Sequence, residues 1–195
     1  SRFLTWLITG SVCVNYMATQ ASNTDPRLFL ITGIMASGKS TVAQQLAERF
    51  PHSVHVRGDI FRRMIVNGRA EMGFELSAAA QAQLNLRYQI AAIVAGMYLD
   101  AGFSVVYQDI IIGPVLLDVI RKLRHLPLHV VVLCPSAQAV AAREAGRDKI
   151  GYGALSVAAF DAVLRSTTPR IGFWLDSSAL TVAATVDHIL ANLEA

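Results

Sequence analysis

From Leu28 onward the chain alternates short apolar runs with longer amphipathic ones. The short runs, 28–32, 53–57, 103–108, 128–134 and 173–175, predict strands; the longer ones, 39–50, 60–67, 77–101, 114–124, 137–147, 157–165 and 181–193, predict helices. Gly102, Pro127 and Pro135 fall at the boundaries, where residues that break regular structure belong. Strands that alternate with helices imply a parallel sheet covered on both faces, so the pattern predicts one α/β domain of three layers, α/β/α, over residues 28–195. The segment 77–101 is apolar around much of its circumference, which suits either a core helix or the wall of a substrate pocket.

Residues 1–27 read as an N-terminal extension. The apolar stretch from Phe3 to Val14 follows Arg2 and precedes the small residues Ala18 and Ala21, the plan of a secretory signal. It falls short of the roughly 20 apolar residues a membrane helix needs. Met17 opens a polar leader into the first strand, so the residues before it are read as upstream, non-native sequence, with a packed segment and a signal or anchor as the alternatives. The intact mass of the native protein separates these readings.

Composition narrows the class. Of 195 residues, 53% are hydrophobic and 16% charged, which provides a core and argues against disorder. The net charge of +3 comes from 17 basic against 14 acidic residues with no basic tract, so no nucleic-acid partner is expected. Cys13 and Cys134 are far apart and outside any metal-binding motif, and His52, His55, His125, His129 and His188 show no ligand spacing. A reducing, cytoplasmic setting without a membrane is the expectation.

The strongest chemical signal is Gly33-Ile34-Met35-Ala36-Ser37-Gly38-Lys39-Ser40-Thr41, which fits G-x-x-x-x-G-K-[ST] between a strand and a helix. Such a loop turns its backbone N–H groups around phosphate oxygens, and the following helix adds its positive end. Lys39 is expected on the β- and γ-phosphates of ATP, and the Ser40 hydroxyl on Mg²⁺. Gly33, Ala36, Ser37, Gly38 and Thr41 complete the expected cofactor-binding set. A GTPase needs a base-reading N-K-x-D, which is absent. A ring-forming ATPase usually carries a glutamate after its acidic strand end, whereas here Asp109 runs into Ile110.

Asp59 stands just past the second predicted strand, where open α/β sheets bind ligands. It is the candidate base for an acceptor hydroxyl, with a helix N-cap as the alternative. Arg62 and Arg63 are candidate substrate ligands; about 100° apart on a helix, they are not expected to face the site together. Asp109 is expected to hold Mg²⁺, directly or through water, with a turn residue as the alternative. Arg143 and Arg147, four apart on a predicted helix, share a face on which a polyphosphate relieves their repulsion. The alternative is an exposed face screened by Glu144 and Asp148. With Lys149 and the glycines around it they read as a lid.

With these residues in place, the chain resembles the small P-loop kinases, and within them the chloramphenicol phosphotransferase-like group and its zeta-toxin-like relatives. The resemblance runs from about Leu28 to Leu193. It rests on the phosphate loop, Asp59, the run from Gly102 to Asp109, Arg143-Glu144-Ala145-Gly146-Arg147 and Trp174-Leu175-Asp176-Ser177-Ser178. It implies a five-stranded parallel sheet of the P-loop NTPase kind, a lid, ATP with Mg²⁺, and transfer of the γ-phosphoryl to a hydroxyl of a small molecule. Asp59 is then the base, Lys39 the phosphate binder, and Arg143 and Arg147 the lid cations. The chain departs from the group at Gln108, where chloramphenicol phosphotransferase has a second acidic residue, and at the arginines after Asp59. Chloramphenicol is therefore not the expected acceptor; another antibiotic or a nucleoside-like compound is. A nucleotide-sugar kinase gripping a diphosphate through Arg62 or Arg63, and an ATP-sensing module without turnover, are the rivals. Arg170 and Asp176 are placed near the base of the nucleotide.

Overall fold

The computed structural model describes residues 25–72, 76–145 and 157–193. Within them the elements run β1 (Leu28–Gly33), α1 (Lys39–Ala47), β2 (Ser53–Arg57), α2 (Gly58–Arg63), α3 (Ala78–Asp100), β3 (Ser104–Gln108), α4 (Val115–Leu123), β4 (Leu128–Leu133), α5 (Ala137–Ala145), α6 (Val157–Ser166), β5 (Phe173–Leu175) and α7 (Val182–Ala191). The five strands form one parallel sheet in the order β2-β3-β1-β4-β5. β1 lies at its centre, and all six of its residues are buried.

The two-residue period of β1 divides the core. Leu28 and Leu30 face one side, with Val105 and Tyr107 of β3, and pack with Tyr88, Ala91 and Ala95 of α3 and Leu116 and Val119 of α4. Phe29 and Ile31 face the other, against Val42 and Leu46 of α1 and Val186 and Ile189 of α7. Two apolar layers on one sheet make the three-layer architecture that the alternating pattern predicts. The 77–101 segment is a core helix on one face and a cavity wall on another, since Arg87 lines the pocket described below.

Helix starts follow side-chain chemistry. Ser77 caps α3 by accepting from the Ala80 N–H at 3.1 Å, and Thr181 caps α7 by accepting from Ala184 N–H at 3.1 Å. One boundary differs with consequences for the site. The helix expected at 60–67 is the six-residue α2, which begins at Gly58 with Arg57 as its N-cap and no side-chain cap bond. Asp59 therefore lies inside the first turn, and the capping alternative does not hold. The N-terminal extension up to residue 24, Arg147 and Lys149 lie outside the described residues.

Candidate active site

The phosphate loop is built by backbone geometry at the end of β1. Gly33 has φ 146°, and a Cβ there would sit 2.5 Å from the Leu133 carbonyl oxygen, so only glycine lets β1 run this close to β4. Ala36 follows at φ 54°, the one non-glycine residue with positive φ among those described. Gly38, at φ 93°, is the N-cap of α1 and offers it no side-chain cap bond. The first turn of α1 thus points backbone donors into the loop, the arrangement that receives an anion. Lys39 is buried, at 7% exposure, and its Nζ donates to the Ile34 carbonyl and, at 3.4 Å, to Ser37 Oγ. An ammonium folded against the loop in this way is placed to turn onto a phosphate oxygen. The Ser40 hydroxyl donates to Gln108 Oε1 at 3.5 Å, across to the end of β3.

The loop opens into a cavity of about 740 Å³. Ala36, Ser37, Gly38, Lys39, Ser40 and Thr41 line it from the phosphate loop and α1; Asp59, Arg62, Arg63, Arg87 and Asp109 line it from α2, α3 and the end of β3, with Arg143 hydrogen-bonded to the loop. Gly33 stands behind the loop in the sheet. The cavity thus gathers most of the expected site residues from the loop after β1, α1, α2, the end of β3 and α5.

Asp109 is buried and fully engaged. Arg87 Nε donates to Oδ2 at 2.8 Å and Arg87 Nη2 to Oδ1, while Tyr107 OH donates to Oδ2 at 3.3 Å and the Ile110 N–H to Oδ1 at 2.7 Å. Burial pushes the Asp109 carboxyl up, against the pull of the Arg87 guanidinium. Burial and the Asp109 charge hold the Tyr107 phenol well above its ordinary 10.0, so it stays a donor. Asp109 is no turn residue, and with two donors on each oxygen it offers a cation no free coordination position. Gly58 makes room for this cluster, because a Cβ there would overlap Asp109 Oδ2.

Asp59 forms an ion pair with Arg63 one helical turn on, through Oδ2. Its Oδ1 is shielded from solvent and has no hydrogen-bond partner among the described residues. Arg62 Nη2 donates to the Ala70 carbonyl at 2.5 Å, and the loop it ties down is held to α3 by Gln83, which donates to Gly68 O at 2.7 Å and accepts from Ala70 N–H at 2.9 Å. Both arginines line the cavity, contrary to the helical-wheel expectation. Side chains of this length reach a common wall from adjacent positions.

Arg143 is no exposed cation. Its Nη1 donates to Ser37 O at 3.4 Å and its Nη2 to Ser177 O at 2.8 Å, which ties the phosphate loop to the turn after β5. That turn is braced by Asp176, which accepts from the Ser178 N–H at 2.9 Å and from its hydroxyl; these bonds hold the Asp176 carboxyl below its ordinary value. Arg170 lies over the Trp174 ring at 4.0 Å. Neither Arg170 nor Asp176 lines the cavity, so their expected place beside the base is not supported by this geometry.

Sequence reasoning missed Arg87. Its signal was present: it is the single charge between Ala78 and Leu99, in a helix otherwise apolar or neutral. It also missed Ser177, Leu180 and Thr181, which enter the cavity wall only through the fold. Among the described residues no group of three or more His, Cys, Asp or Glu side chains could hold a metal, and no helix is long and apolar enough to cross a membrane.

The family model AAA_33, described as an AAA domain, matches residues 28–169, a span from β1 through α6 that includes the phosphate loop and the acidic cluster. The chain belongs to this AAA domain family. No curated protein matches it. Among solved structures, this family member is similar to an unliganded sugar kinase from Janibacter sp. HTCC2649, with TM-score 0.68 and 19% identity over 87% of this chain and 95% of that one. It is similar to the Mycobacterium tuberculosis APS kinase CysC in complex with AMPPNP and APS, with TM-score 0.65 and 18% identity over 88% and 99%. The tunicamycin resistance protein of Deinococcus radiodurans follows at TM-score 0.62 and 16% identity over 86% and 95%. Identities this low establish the fold, the five-stranded parallel P-loop architecture seen in small kinases.

Proposed function

We propose that the protein is an ATP-dependent phosphotransferase that moves the γ-phosphoryl group to a hydroxyl of a small molecule. The observation that carries this reading is one cavity lined both by a phosphate loop and by a carboxylate, Asp59. The likeness to small kinases and the family match support it. The residues present fit the nucleotide. The backbone cradle from Gly33 to Gly38 and the buried Lys39 suit its phosphates, and the Ser40 hydroxyl, with Gln108 beside it, suits Mg²⁺. The ion supplies charge neutralisation at the phosphates.

In the transfer the acceptor oxygen bonds to the γ-phosphorus, the bond from that phosphorus to the bridging oxygen breaks, and ADP leaves. The acceptor's proton passes to the Asp59 carboxylate. Lys39 and Arg143 stabilise charge on the transferring group, joined by Arg147 from the segment after α5. Asp109 acts through Arg87, whose guanidinium it fixes in the cavity wall. No glutamate follows Asp109 to activate water, which favours transfer over hydrolysis. A place near the chloramphenicol phosphotransferase-like and zeta-toxin-like kinases, with an antibiotic or nucleoside-like acceptor, is the corresponding reading of substrate class. A cytoplasmic setting belongs to the same reading, with Cys134 a free thiol among the described residues.

The test is incubation with Mg²⁺-ATP and a mixed panel of nucleosides, nucleotide sugars and antibiotics, read by mass, with Lys39→Ala as the blank. A panel member that gains one phosphate in the wild type alone establishes the activity. Tight ATP binding with no product across the panel points instead to a nucleotide-sensing module.

A further inference from the structure

The acceptor end of the cavity holds two Arg–Asp pairs that differ in kind. Arg87 and Asp109 are both 4% exposed and joined in a fork, so their pairing is a fixed part of the wall. Arg63 and Asp59 are an i,i+4 pair whose side chains are 64% and 27% exposed. A pair so wetted is weak and exchanges readily. As it stands, Asp59 Oδ1 is shielded from solvent and Oδ2 is paired with Arg63, so the oxygen open to an acceptor is the one that Arg63 holds. Next to it, Arg62 has a buried Nε with no hydrogen-bond partner among the described residues.

On the phosphotransferase reading, on which this inference rests, Asp59 takes the acceptor's proton on Oδ2 most readily once Arg63 has moved off it. A neutral acceptor brings nothing that competes for Arg63. A carboxylate, phosphate or sulfate does, because a guanidinium holds such a group through two parallel charge-assisted bonds. We infer that the acceptor carries an anionic group near its reacting hydroxyl, and that this anion draws Arg63 away from Asp59 and so presents the base. Arg63 is thereby a specificity-determining residue that binds the acceptor's anion, and Arg62 flanks the same anion through its unused Nε. Charge on the acceptor is read twice, once in binding and once in releasing the carboxylate.

The experiment is steady-state kinetics with Mg²⁺-ATP on matched acceptor pairs: a nucleotide sugar against its free sugar, and a sugar acid against its neutral alditol. Wild type, Arg63→Gln and Arg63→Lys are compared, with Lys39→Ala as the blank. The wild type is expected to favour the anionic member of a pair at least tenfold in kcat/KM. Arg63→Gln should abolish that preference, raising KM for the anionic acceptor while kcat for the neutral one rises several-fold. Arg63→Lys, which keeps the charge but loses the fork, should fall between. A wild type that phosphorylates neutral members as well as anionic ones overturns the inference and leaves the kinase reading standing. So does an Arg63→Gln variant that slows both members equally. Absence of product from every acceptor, with ATP bound, overturns the kinase reading and the inference together.

Discussion

The two ends of the cavity are made differently. The donor end is backbone: a strand that stops at Gly33, a loop with Ala36 and Gly38 in the left-handed region, and the first turn of α1, all within nine residues of chain. The acceptor end is side chain. Asp59 and Arg63 come from α2, Arg87 from the middle of α3 and Asp109 from the end of β3, and they meet only because α3 packs across β3. A site of backbone donors is ready for its ligand as folded, whereas a site of paired charges has its chemistry set by which pairs can come apart.

Breaking either end tests that contrast. The largest expected effect is at the base: Asp59→Asn should lower kcat about 10²- to 10⁴-fold, with little change in melting temperature or ATP affinity, as steady-state kinetics and calorimetry would show. At the donor end Lys39→Ala removes a preorganised cation, and kcat should fall about 10²- to 10³-fold, with weaker binding of ATP measured by titration.

The fixed ion pair should respond in stability before activity. Arg87→Met leaves the buried Asp109 carboxylate without its counter-charge, and denaturant unfolding should show a loss of about 3–5 kcal/mol. Removing both partners, as Arg87→Met with Asp109→Leu, should restore much of that loss, because no unpaired charge is then buried.

The smallest effect concerns pH. Burial first, and the Arg57 charge second, hold the His55 imidazole below its ordinary 6.5, with Asp59 opposing them. A histidine kept neutral by the fold contributes stability that is complete above that value and is lost as pH falls through it toward the folded one. His55→Gln should therefore flatten the decline in thermal stability between neutral and mildly acidic solution.

The same contrast governs what could be read from the chain alone. The strands and the phosphate loop were legible because their signals are local. Apolar runs mark β1, β3 and β4, and the spacing of Gly33, Gly38 and Lys39 specifies one backbone path. Asp59 was legible as a carboxylate at a strand end, although its place inside α2 was not, since Gly58 starts a helix two residues before the apolar pattern does. Asp109 looked like a metal ligand because nothing near it in sequence declares that Arg87, 22 residues earlier, takes both its oxygens. Arg143 read as a lid cation, with an exposed face as the alternative, and its ties to Ser37 and Ser177 were hidden because they lie 106 and 34 residues away. Side-chain pairing between remote elements is a property of packing, and one-dimensional spacing carries little of it.

The most direct test of the phosphotransferase reading is the fate of the γ-phosphoryl group in a single turnover with [γ-³²P]ATP, Mg²⁺ and the acceptor panel. The account predicts label in an organic phosphate ester, formed at a rate that collapses in Asp59→Asn. Label released solely as inorganic phosphate, at a rate indifferent to Asp59, would contradict it.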